Sequence, residues 1–192
     1  MDYFFKYLNS ITPVSRETYA AFSKIIKKDK FTNKTIFCEI GEVPKCVFFL
    51  KKGIVRAYVK TKKGEEFNRE IFVDNEILSS LSSLILDQES IIGLQCLSDC
   101  EVYKANFKGF MDLVKINPEI SNLYRSVLED NFIKLEQRTI ELSTMTATER
   151  YIKLRKRIPN IDNLISQYHI ASHLGITSIQ QSRIRKKILL TD

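Results

Sequence analysis

Only two histidines, His169 and His173, occur in this 192-residue chain, and that shortage removes a broad class of functions. A metal-dependent barrel enzyme needs several histidine and carboxylate ligands on its strands. Here both histidines sit near the C-terminus, four residues apart, on one helical face with no third ligand. A surface face is the expected reading, and no metal or cofactor site is expected. No glycine-rich phosphate loop and no nucleophile motif is present, so the chain reads as a non-enzyme. The four cysteines, Cys38, Cys46, Cys96 and Cys100, show no C-x-x-C spacing. Reduced, partly buried thiols in a cytoplasmic protein are therefore expected, rather than a zinc knuckle or an iron–sulfur centre. No apolar run has the length of a signal peptide or a membrane span.

Acidic residues are also missing, but only locally. Between Arg150 and Ile188 stand nine basic residues (Arg150, Lys153, Arg155, Lys156, Arg157, Arg183, Arg185, Lys186, Lys187) against the single acid Asp162. That stretch carries +8, whereas the whole chain carries +7, so everything else sums to −1. A polyanion attracts such a confined basic segment by counterion release. The same segment contains Tyr168 to Lys187, YHIASHLGITSIQQSRIRKK, which reads as a helix-turn-helix. Ala171 is small where a second helix must cross, and Gly175 suits a left-handed turn. Ile170, Leu174, Ile176 and Ile184 fall where the helices share a core, and Thr177 is placed to cap the second helix. Such a pair places its second helix in the DNA major groove.

Upstream, the texture changes twice. Residues 1 to about 30 read as helical, with Tyr19, Phe22, Ile25 and Ile26 at helical spacing. From Phe31 to Phe107 short β-branched and aromatic runs predict strands: Val47–Leu50, Ile54–Val59, Glu66–Val73, Ile91–Leu97 and Glu101–Phe107. Gly41, Pro44, Gly53, Gly64 and Asn75 punctuate them, which suggests an antiparallel barrel or jelly roll. After Pro118 a helix of about 25 residues carries Ile120, Tyr124, Val127, Asn131, Leu135, Arg138 and Leu142 at coiled-coil spacing. Ile120, Tyr124, Val127, Asn131, Leu135 and Leu142 are the expected dimerisation residues, with Asn131 and Arg138 able to fix register. Thr146-Ala147-Thr148-Glu149 has capping-box spacing and should start a new helix that Pro159 ends. The fold class is α+β in three parts: a sensor barrel (1–117), a long helix (118–144) and a helix-turn-helix domain (145–192).

On the residues Ala147 to Leu154 (ATERYIKL), Ile170 to Thr177 (IASHLGIT) and Ser182 to Lys187 (SRIRKK), the chain resembles the Crp/Fnr family of regulators, with weaker echoes at Gly41-Glu42, Lys52 to Arg56 and Gly64 to Glu66. The resemblance covers essentially the full length. It implies a homodimer that binds double-stranded DNA, with Thr177, Ser178, Gln180, Arg183, Arg185, Lys186 and Lys187 at the interface. Arg183 matches a base-reading arginine and Thr177 a phosphate contact. Ile179 stands where a glutamate is frequent, and Gln181 where the motif buries Leu or Val. Cyclic-nucleotide-binding members use a Glu and an Arg in a phosphate cassette; here those positions are Ser80 and Ser90. The intervening loop has no Lys or Arg, so neither cAMP nor cGMP is expected to bind. Ser79, Ser80, Leu81, Ser82 and Ser90 form an effector loop, if an effector exists. The competing reading is a dimeric sensor or interaction module whose helix-turn-helix no longer reads DNA.

Overall fold

The computed structural model describes residues 2–189 and has α+β architecture. Two helices open the chain, α1 (Tyr3–Ile11) and α2 (Arg16–Ser23), capped by Asp2 and Ser15. Eight strands follow: β1 (Ile26–Phe31), β2 (Ile36–Cys38), β3 (Cys46–Lys52), β4 (Val55–Lys60), β5 (Glu66–Phe72), β6 (Glu76–Leu78), β7 (Gly93–Cys96) and β8 (Cys100–Asn106). A short helix, α3 (Leu81–Leu86), interrupts them between β6 and β7. They form two antiparallel sheets, ordered β1-β8-β3-β6 and β2-β7-β4-β5. The helical reading of the first 30 residues is therefore corrected at its end: Ile26 already pairs with Ala105. Ile26–Phe31 (IKKDKF) carries no apolar alternation, and sheet pairing with β8 decides its state.

The two-residue period of the strands sorts the barrel into faces. Phe48, Leu50, Val55, Ala57, Leu94, Cys96 and Val102 point inward and form one buried cluster. From β3 and β8, Phe49 and Tyr103 point outward and pack against the N-terminal helices, α4 (Phe107–Ile116) and the start of α5 (Pro118–Thr144). From the second sheet, Ile71 on β5, with Ile54 just before β4, points outward into a third cluster. Its other members come from α6 (Ala147–Arg157), α7 (Ile161–Leu164) and α8 (Gln167–Leu174), and the last helix, α9 (Ser178–Leu189), adds Ile184 at its margin. The outer face of one sheet thus shares a core with the C-terminal helices. Among the described residues no helix is long and apolar enough to cross a membrane.

The long helix departs from the expected seam. Ile120 is only 1% exposed, inside the chain's own core, with Tyr124 and Val127 packed against the same cluster. These three pack on the chain's own barrel. Arg138 is also engaged internally, donating to the His173 carbonyl and lying near Glu141. The large apolar side chains left exposed on this helix are Phe132, Ile133, Leu135, Ile140 and Leu142. Periodicity identified an apolar stripe but could not say that its first two turns face the barrel.

Candidate nucleic-acid interface

The helix-turn-helix is built from local rules. Gly175 closes α8 with φ of 71°, and the Ile176 amide donates to the Ala171 carbonyl at 3.1 Å. Orphan carbonyls at the helix end are satisfied in this way. Thr177 and Gln180 then cap α9 reciprocally: the Gln180 amide donates to Thr177 Oγ1 (3.2 Å) and the Thr177 amide to Gln180 Oε1 (2.9 Å). Two of the residues expected at DNA therefore also hold the N-terminus of α9. Ser178, Ile179, Gln180, Ser182, Arg183, Lys186 and Lys187 are exposed along α9, whereas Gln181 is fully buried. Neither Gln181 amide atom has a hydrogen-bond partner.

Much of the basic excess upstream of α9 is spent inside the chain. Arg150 donates to the Met145 and Leu174 carbonyls, Lys153 pairs with Glu141, and Arg157 with Glu70. Asp162 faces both Arg155 and Arg185, at 3.5 and 3.8 Å, and accepts from the Tyr151 hydroxyl at 2.6 Å. Burial, more than the Asp162 bond, pushes the Tyr151 phenol above its ordinary range. Arg185, expected as a phosphate contact, is thus turned toward the domain's own carboxylate. The exposed cations on α9 itself are Arg183, Lys186 and Lys187.

The histidines are not a surface face. His173 is 5% exposed, and His169 is half-buried beside Asn68 of β5. They are two residues of the joint between α8 and the barrel.

Residues 28–117 match the family described as cyclic nucleotide-binding domain. The cAMP-activated global transcriptional regulator CRP of Salmonella typhimurium is 24% identical over 91 residues, which is 47% of this chain and 43% of that relative. The chain therefore matches less than half the length of this curated relative. Two solved structures extend the similarity in fold. FixK2 from Bradyrhizobium japonicum has a TM-score of 0.75 at 14% identity, covering 87% of this chain and 86% of that one. A putative transcriptional regulator of the crp/fnr family from Eubacterium rectale has a TM-score of 0.74 at 15% identity, covering 99% and 89%. The chain shares its fold with these regulators.

Within the barrel the cassette positions are closed on themselves. Ser90 Oγ donates to Ser80 Oγ at 2.7 Å and lies 2.7 Å from the Ile92 carbonyl, and Ser80 bonds Ser83 at 3.1 Å. All three serines are 1% exposed, while Ser79 and Leu81 are half-buried and Ser82 is exposed. No residue from 79 to 92 is Lys or Arg. An anionic cyclic phosphate placed there would be desolvated without a cation, so the residues present do not fit that ligand.

One buried polar residue escaped the sequence reading. Arg56 was noted only as part of a family echo, yet it is a buried cation on the outer face of β4. Its guanidinium donates to Gln95 Oε1 (2.7 Å), Asn68 Oδ1 (3.1 Å) and Glu66 Oε2 (2.5 Å), and stacks 4.2 Å from the Tyr58 ring centre. An arginine alternating with Val55 and Ala57 in a strand was the available signal.

Proposed function

We propose that this chain is a cytoplasmic, homodimeric, sequence-specific DNA-binding transcription regulator of the Crp/Fnr type and not an enzyme. Its parts are the sensor barrel (1–117), the long helix (118–144) and the helix-turn-helix domain (145–192). The observation that carries the reading is the exposed edge of α9, where Thr177, Ser178, Arg183, Lys186 and Lys187 stand out from a correctly capped helix-turn-helix. Arg183 is the base reader and the lysines are phosphate partners. Arg183→Ala is expected to cost about 1–3 kcal/mol at an operator selected from random DNA and to relax its sequence preference. Lys186→Ala should weaken all DNA alike and flatten the salt dependence. Absence of DNA binding by the purified protein at low salt would sink this reading.

The dimer uses the distal half of α5. Asn131, Leu135 and Leu142 are assigned to it, with Phe132 beside them; Phe132, Leu135 and Leu142 are exposed beyond the turns that pack on the barrel. Light scattering should give twice the 22.4 kDa chain mass. Charging the stripe with Phe132→Glu and Leu135→Glu should return it to a monomer.

The barrel does not use cAMP or cGMP. The serine network supports this, and millimolar cAMP is expected to leave the melting temperature unchanged; a rise would show cyclic-nucleotide binding. A second reading, an interaction module that no longer reads DNA, is favoured by one feature, the unpaired Gln181 amide inside the helix pair.

A further inference from the structure

The polar side of the joint between α8 and the barrel is organised by one amide. Arg56, which can only donate, occupies Asn68 Oδ1 at 3.1 Å. Asn68 must therefore turn its Nδ2 group toward α8, where it bonds the His169 carbonyl (3.0 Å) and faces His169 Nδ1 (3.3 Å). A donor facing Nδ1 requires that nitrogen to carry its lone pair, so the docked imidazole is neutral. The Asn68 backbone amide adds a bond to Ser172 Oγ at 2.8 Å. One turn further along α8, His173 enters the same joint with Nδ1 buried and unpaired. Its own carbonyl is held by Arg138 of α5.

We infer that this joint is a proton-operated clasp: α8 docks on β5 only while His169 and His173 are neutral, and acid releases it. This goes beyond the DNA-binding reading and does not depend on it.

The charges around each ring have been placed by every element that packs there. His169 faces Arg56 of β4 and Glu66 of β5, which pair with each other at 2.5 Å and so offer little net attraction for a new cation. Tyr168 lies beside it with ring centres 5.3 Å apart. His173 faces Glu70 of β5, Arg138 of α5 and Arg157 of α6. Glu70 is already paired with Arg157 at 2.8 Å, and Arg138 lies near Glu141. Burial, assisted by these arginines, holds both imidazoles down to about 4.

The sign follows from linkage. Once released, both histidines return to about 6.5, so between pH 4 and 6.5 the open form binds more protons than the docked form. Lowering the pH through that window favours opening, and raising it restores docking. At pH 5 each histidine shifts the balance by about thirtyfold if fully released.

Hydrogen exchange on the full chain, corrected for intrinsic rates, tests this. Amides of Gln167–Leu174 should open at least about tenfold more at pH 5 than at pH 7.5, while amides of β3 and β8 change little. His169→Gln, which cannot take the proton, should reduce that response. A flat response in α8, an equal rise in the barrel strands, or an unchanged response in His169→Gln would overturn the clasp. Should that variant not fold, titration of the imidazole signals in the wild-type chain decides. Midpoints below pH 5 support the clasp, and midpoints near 6.5 overturn it.

Discussion

Replacing Gln181 with leucine is expected to stabilise the protein by on the order of 3 kcal/mol, a sign opposite to that of most core substitutions. The glutamine is fully buried, and both its Nε2 and its Oε1 lack hydrogen-bond partners. Two unmatched polar atoms each forfeit hydration without recovering it. Leucine is close to glutamine in volume and removes both, so the gain comes without a new cavity or much overpacking. For a chain of this size the melting temperature should rise by roughly 6–12 °C. Calorimetry of the single variant measures it. A neutral or negative result would mean that the amide is satisfied, by a bridging water or an alternative rotamer. The same variant bears on function. If α9 is loosened by this residue, Gln181→Leu should also slow amide exchange in α9 at neutral pH.

What the sequence made legible was what short-range rules decide. Gly175, Ala171 and Leu174 define the turn within a few residues, and both Thr146–Glu149 and Thr177–Gln180 close capping boxes within four. The strongly apolar strands β3 and β4 were equally readable. The short strands β2 and β6, of three residues each, were not, nor was α3, which follows a serine that makes no capping bond. The α4 helix was hidden behind the strand reading that ran through Phe107, although Asn106 caps it. Long-range partners were the least accessible. Asn68 and His169 lie 101 residues apart, and Arg138 and His173 lie 35 apart. The histidines read as a surface face until their partners were in place. On α5 likewise, a period of three and four residues names a face without naming what covers it.

Gly53→Ala is expected to damage the barrel severely, costing on the order of 4 kcal/mol. Gly53 joins β3 to β4 with φ of 120°, a region that residues bearing a Cβ rarely enter. A Cβ there would sit 2.6 Å from Cys100 Sγ and 2.7 Å from the Asp99 carbonyl oxygen. Neither can yield easily. Cys100 is 2% exposed in the barrel interior, and the Asp99 carboxylate accepts from the Asn33 amide at 2.8 Å. The next residue, Ile54, belongs to the cluster shared with α6, α7 and α8, and its carbonyl receives the Leu97 amide at 2.7 Å. Strain at Gly53 therefore reaches the joint with the helix-turn-helix as well as the barrel. Gly64→Ala supplies the control. Gly64 also has a positive φ, 84°, but a Cβ there meets nothing within 4 Å. That variant should cost only about 1 kcal/mol, the conformational part alone. Denaturant melts of the two variants separate the contributions. Equal losses would show that backbone conformation, and not the approach to Asp99 and Cys100, is what demands glycine at position 53.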